Sequence, residues 1–311
     1  MENKKVMNRI QDLGAVIALI LLVAVISIIS PEFRTVKNFL SLLRQSSING
    51  LIAFGMTCVI LTGGIDLSVG SVLALTTAIC ASLIANGTPV AIAMIVALVL
   101  GVLFGIISGI FVTKGRLQPF IATLITMTVF RGLTMIFMDG KQISKLGDSY
   151  LLKFVGKGLI LNIPFPVIMF ILIFIGFMFI LERTTFGRKV YATGSNEKSA
   201  KLAGINIDRT KIATYAISGL MAAMSGLVLL SRLGSAQPTL GTGYELDAIA
   251  AVALGGVSMN GGRGRIWGTF VGVLIIAVLN NGLNILGVSS YYQDVVKGLV
   301  ILIAVLSDRK R

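Results

Sequence analysis

The sequence predicts an all-α, polytopic membrane protein of about ten transmembrane helices. Three observations point there. First, 55% of the 311 residues are hydrophobic and only 13% are charged, with a mean hydropathy of +0.93, so the chain is too apolar for one core under a polar coat. Second, its apolar runs do not alternate with a period of two, which favours helices over barrel strands, the two structures that satisfy their own backbone in lipid. Third, most of these runs approach the roughly 20 residues that a helix needs to cross hydrocarbon.

Residues 1–12 carry Lys4, Lys5 and Arg9, and an apolar run over 13–30 follows. That run is long for a signal peptide and lacks a small-x-small cleavage pattern, so it reads as a retained first span. Further spans are predicted near 46–62, 68–86, 90–112, 119–138, 164–182, 212–231, 246–258, 266–286 and 290–306. With the amino terminus placed inside, 17 Lys and Arg fall on the inner side and 8 on the outer. This agrees with the basic bias of cytoplasmic loops and puts both termini in the cytoplasm. Arg131 and Lys297 remain, each within a span. The outer segment 139–162 contains YLLKFVGKGLIL and reads as a helix along the outer surface, either a lipid-interface element or a platform for an external protein.

Between the two apolar blocks lies the polar stretch 183–211, RTTFGRKVYATGSNEKSAKLAGINIDRTK, with seven Lys or Arg. Asn196 can cap a short helix through Glu197, Ala200 and Leu202, and Gly204 can end it in a left-handed turn. The stretch is expected to face the cytoplasm and to separate two halves, about 46–138 and 212–306.

These halves share a faint repeat. GIDLSVGSVLAL at 64–75 aligns without a gap on GYELDAIAAVAL at 243–254, pairing Asp66 with Glu245. Gly101-Val102-Leu103 answers to Gly272-Val273-Leu274, and Arg131-Gly132-Leu133 to Lys297-Gly298-Leu299, in the same order. Equivalent spans lie five apart and so cross in opposite directions, an inverted repeat of the kind that places a pathway near the midplane. Asp66 and Glu245 sit at helix starts, where capping competes with a gating or substrate role. Arg131 and Lys297 are costly in lipid and should face protein or water. Lys297 has Asp294 one turn earlier as a partner, whereas Arg131 has none nearby in sequence. Asn280 and Asn284, four apart, either bind hydroxyl groups of a solute or join helices. Gly101, Gly105 and Gly109 read as close helix packing.

Several functions are set aside by composition. The formal charge of +14 is spread over the ends of apolar segments, which fits topology and not nucleic acid binding. Cys58 and Cys80 fall inside apolar runs, and the chain has no His, so no metal site is expected. No Gly-x4-Gly-Lys-Ser/Thr phosphate loop is present, so any ATP must be hydrolysed on another polypeptide. No nucleophile and base pair points to an intramembrane enzyme. An ion-coupled secondary transporter of a small polar solute is the alternative, although its acids would be expected at the midplane.

LTGGIDLSVGSVLAL at 61–75, KGRLQPFIATL at 114–124, GSNEKSAKLAGIN at 194–206, SAQPTLGTGYELDAIAAVALGG at 235–256 and NNGLNILGVSSYYQ at 280–293 together resemble the permease subunits of bacterial ABC importers for ribose and related sugars. The GIDLSVG and GTGYELDAIAAV signatures are specific to the sugar and branched-chain amino acid permeases. The resemblance implies a permease that moves a monosaccharide through the bacterial cytoplasmic membrane and is not itself an enzyme. It also implies a second permease chain as homodimer partner, a cytoplasmic ABC ATPase holding ATP and magnesium, and an extracytoplasmic sugar-binding protein. Asn196, Glu197, Ala200 and Gly204 would then couple the permease to the ATPase, while Asp66, Arg131, Glu245, Asn280, Asn284 and Lys297 are the candidates for pathway or gating.

Overall fold

A computed structural model describes residues 2–309. In chain order the helices are α1 Glu2–Ile29, α2 Val36–Leu61, α3 Val69–Ala85, α4 Val90–Thr113, α5 Pro119–Met138, α6 Tyr150–Lys157, α7 Phe165–Arg183, α8 Thr185–Ser195, α9 Glu197–Leu202, α10 Ile207–Leu233, α11 Tyr244–Leu254, α12 Ile266–Ile285 and α13 Ser290–Arg309. A 3-10 turn covers Pro31–Arg34, and a two-stranded antiparallel hairpin pairs β1 Leu159–Ile160 with β2 Ile163–Pro164. The molecule is therefore all-α and polytopic. Among the described residues, α4, α5, α7, α10 and α12 are long and apolar enough to cross a membrane, with shorter apolar helices at Gly14–Ile29 and Val69–Ala85.

Two helices form the axis. From Ile48 to Leu61 all of α2 except Asn49 is buried, and it is packed by α10, α11, α12 and α7. The other axis, α10, lies against α2, α3, α4 and α6. Between α2, α7 and α12, aromatic rings fill the space: Phe54, Phe170, Phe174 and Phe270 stack or tilt with centroids 4.7 to 5.8 Å apart. Outward faces of α4 and α5 carry Ile92, Ile95, Val99, Ile125, Val129 and Ile136, the lipid-type surface expected of membrane helices.

The glycine spacing of α4 works as the sequence suggests. Gly101, Gly105 and Gly109 turn to α10, where a Cβ at 101 would fall 2.6 Å from both Ala223 Cβ and Gly219 O. In lipid, such small-residue seams supply the close backbone packing that holds helices together. Gly101→Leu is expected to destabilise the bundle by about 1–3 kcal/mol through overpacking. Thermal unfolding in detergent checks this, with Gly176→Leu as the neutral control because the space around Gly176 is open.

Some boundaries differ from expectation. Helix α2 begins near 36 and not 46, because Thr35 Oγ1 accepts from Asn38 N and starts it early. The span expected over 246–258 is only the eleven-residue α11, about 16 Å long. It begins two residues earlier than expected, directly after the left-handed Gly243 at φ +85°, and it stops four residues early, at the turn that Gly256 makes at +75°. The segment 139–162 does not lie free on the surface. Gly156 N donates to Ser231 Oγ of α10 at 2.8 Å, and that hydroxyl in turn donates to Leu152 O, so α6 is tied to the bundle with Leu152 and Gly156 buried.

The short α11 and the first turn of α3 meet start to start. Gly70 of α3 lies against Gly241, and a Cβ at 70 would come 2.6 Å from Glu245 Oε2. Two helix beginnings, with their free backbone amides, thus converge inside the bundle.

Candidate functional site

At one end of the bundle the polar connection between α7 and α10 folds into α8 and α9, where a single short helix is expected from sequence. Thr184 caps α8 by accepting from Gly187 N, and Asn196 Oδ1 caps α9 by accepting from Ser199 N at 2.9 Å. Gly204, at φ +81°, closes α9: its N donates to Lys201 O and Ile205 N donates to Ala200 O, each at 3.0 Å. This double bond pattern across a left-handed glycine satisfies the last carbonyls of the helix. Ala200 is buried beneath it, while Leu202 is 91% exposed at its tip. Glu197 pairs with Lys211 and so ties α9 to α10, while Lys114 of the α4–α5 turn pairs with Asp208 of α10 at 2.6 Å.

Helix α8 is pinned to the same end. Tyr191 O–H donates to Gly264 O at 2.9 Å, and Gly262 N donates to Leu61 O at the end of α2. Burial pushes the Tyr191 phenol up to about 12, with Cys58 and Glu182 adding and Arg265 opposing. Because burial favours the neutral phenol, the stability that Tyr191 contributes is complete below the ordinary value of 10 and is lost as pH climbs toward about 12. Tyr191→Phe is expected to lower stability by about 1 kcal/mol and to flatten that alkaline loss, as followed by thermal unfolding against pH.

Deeper in the bundle, Asp66 is 1% exposed. It lies two residues before the cap position of α3, not within its first turn. Its Oδ1 accepts from Ser68 N at 3.0 Å and Ser68 Oγ at 2.5 Å, and its Oδ2 accepts from Ser218 Oγ of α10 at 2.7 Å. The hydroxyls extend further, through Ser108 of α4 to Thr126 of α5 at 3.1 Å. Ile65 O takes the hydroxyls of Tyr215 and Thr123. The turn before α3 is thereby stitched to α10, α4 and α5 at once.

On the other side of the α3–α11 junction, Glu245 Oε1 accepts from Gly243 N at 3.2 Å, a contact that belongs to the start of α11. Arg131 of α5 finds its partners far away in sequence: Nη1 donates to Pro238 O at 2.8 Å and Leu240 O at 3.0 Å. It thus holds the extended segment that leads into α11.

A second polar cluster centres on Asp247, buried to 6% exposure. Lys297 of α13 lies 3.3 Å from Asp247 Oδ1 and 3.7 Å from Asp294, so the expected Asp294 partner is present but is the more distant. Asp247 Oδ2 accepts from Asn49 of α2 at 3.3 Å and Asn280 of α12 at 3.5 Å. Asn280 Oδ1 is buried with no hydrogen-bond partner. Asn284 accepts from Gln293 at 2.9 Å, and Asn281 and Asn38 exchange amide bonds at 2.8 and 2.9 Å. The asparagines of α12 therefore join helices. Asp247, Asn49, Ser108 and Ser218 were not singled out by sequence; the second carboxylate of the Glu-Leu-Asp triplet was the one available sign.

The chain matches, over residues 38–305, the family described as "Branched-chain amino acid transport system / permease component". It belongs to that permease family. The permease is 58% identical over 301 residues to the "Ribose import permease protein RbsC" of Bacillus subtilis (strain 168), covering 97% of this chain and 94% of that one. It is 49% identical over 299 residues to the protein of the same description in Escherichia coli (strain K12), covering 96% and 93%. With the "Xylose transport system permease protein XylH" of Escherichia coli (strain K12) it shares 36% identity, covering 89% and 86%. No solved structure matches the permease. Its polar end, with α8 and α9, and its two buried carboxylate clusters both fall inside the matched residues.

Proposed function

We propose that this permease imports ribose or a closely related monosaccharide across the bacterial cytoplasmic membrane, driven by ATP hydrolysed on a separate subunit. The observation that carries the reading is the 58% identity, over 97% of the chain, to a ribose import permease. Two copies form the membrane pathway, an extracytoplasmic binding protein delivers the sugar, and a cytoplasmic ATPase holds the ATP and magnesium. The connection 183–211 faces that ATPase, with Asn196, Glu197, Ala200 and Gly204 building the helix that it moves. The capped, glycine-terminated form of α9 and its exposed Leu202 support a docking role. The excess of Lys and Arg on the side of α8 and α9 supports placing both termini in the cytoplasm.

The halves 46–138 and 212–306 form an inverted pair. The start-to-start meeting of α3 and α11, whose sequences align in the repeat, supports this arrangement. Asp66, Glu245, Arg131 and Lys297 set the positions of these two helix starts during alternation, and Asn280 and Asn284 hold α12 to its neighbours. Reconstitution with a candidate ATPase and binding protein tests the reading. Uptake of labelled D-ribose is expected to require ATP inside the vesicle partner compartment and to survive a protonophore. Uptake that ignores nucleotide and collapses with the proton gradient would instead establish the ion-coupled alternative.

A further inference from the structure

Between α2, α10 and α11 lies a cavity of about 200 Å³, the liquid volume of roughly seven waters. Its polar lining is Gln45 and Asn49 of α2, Arg232 of α10 and Tyr244 of α11, over an apolar floor that includes Ile48 and Leu229. It sits toward the end of the bundle opposite α8 and α9, where α10 ends at the half-exposed Leu233.

We propose that this cavity holds one monosaccharide during import; the inference rests on the transport reading above and assigns a resting place to its substrate. Gln45 and Asn49 are one helical turn apart on one face, so their Cβ atoms stand about 5–6 Å from each other and both amides can reach one sugar ring. Each primary amide offers both donors and an acceptor, which suits hydroxyl groups that also do both. Arg232 adds further donors, and the Tyr244 ring offers a flat apolar surface for the C–H face of a sugar. Few polar groups above an apolar floor, set between the helices of a bundle, is the ordinary composition of a small-molecule site.

Two features separate this lining from packing. Neither Gln45, Arg232 nor the Tyr244 hydroxyl makes a side-chain hydrogen bond or ion pair among the described residues, whereas the asparagines of α12 are engaged with neighbouring helices. Asn49 spends its amide N–H on Asp247 Oδ2, which links the cavity to the Asp247–Lys297 cluster and so to α11 and α13. A bound sugar would therefore touch the same short helix whose start meets α3.

Thiol protection in the full-length permease in lipid nanodiscs tests the proposal. Cys58 and Cys80 are each 0% exposed, so Gln45→Cys can be followed against a quiet background with a methanethiosulfonate reagent. D-Ribose is expected to slow labelling in proportion to occupancy, about fivefold once it exceeds its dissociation constant about fourfold. Glycerol at equal concentration should leave the rate unchanged, as should ribose acting on Lys141→Cys in an exposed loop. Equal rates with and without ribose, no labelling of Cys at 45, or protection by inorganic phosphate and not by ribose would each overturn the proposal. ATP-driven uptake by the parent chain is scored separately, so a failed protection assay beside successful uptake strikes the cavity alone.

Discussion

Gly204→Pro is expected to reduce ATP-driven sugar uptake at least about tenfold while the protein remains inserted in the membrane at its normal level. Proline fixes φ near −65° and has no N–H, whereas Gly204 sits at φ +81° and donates to Lys201 O. The substitution therefore destroys the closing turn of α9 without touching any helix of the apolar bundle. Glu197→Lys acts at the other end of the same helix, replacing the Lys211 ion pair with two like charges; Lys211 is only 15% exposed at its side chain, so the repulsion is poorly screened. Both variants are read by uptake and by ATPase activity in the reconstituted importer. Preserved ATP turnover with lost uptake is the expected pattern, and normal uptake in both would remove α9 from the coupling path.

Asp66→Ala is expected to lower stability by about 3 kcal/mol or more and to abolish uptake. A hydrogen bond contributes about 0.5–1.5 kcal/mol net, and each buried donor left unpaired costs about 1–3 kcal/mol of desolvation. Alanine leaves Ser68 and Ser218 without the acceptor they share. Asp66→Asn should retain more stability, since it keeps one oxygen but points an N–H₂ at a hydroxyl. Unfolding of the detergent-solubilised protein, measured for both, checks the order; an Asp66→Ala protein as stable as the parent would show that the cluster does not hold the turn before α3.

The parts legible in sequence are those written locally. Asn196 and Gly204 mark the two ends of α9 because capping and left-handed turns depend on residues within one turn of each other. The glycines of α4 declare a packing face by their spacing alone. Helix α8 is less legible: TFGRKVYATGS has a low overall apolar content and sits inside a basic connection, although Gly187, Val190 and Thr193, three apart, turn one buried face to the bundle. The early end of α11 was legible in principle, since Gly255-Gly256 follows Leu254 directly and the left-handed turn at Gly256 stops the helix there. Partners across the bundle were least accessible. Nothing near Arg131 foretells Pro238 and Leu240, and nothing near Asp247 foretells Asn49, since these pairings are made by folding and not by neighbourhood.

The enclosure of α2 limits how two copies can assemble. Beyond Ile48 that helix is wrapped by its own chain, so it can give no surface to a sister molecule. If two copies share a conduit, its walls are elements that still show side chains outward, among them α5 and the first turn of α11, where Thr128, Gly132 and Leu246 are exposed and where Tyr244 also lines the cavity beside α2 and α10. The innermost rod of each subunit would then serve as the fixed spar against which the walls of the shared conduit shift.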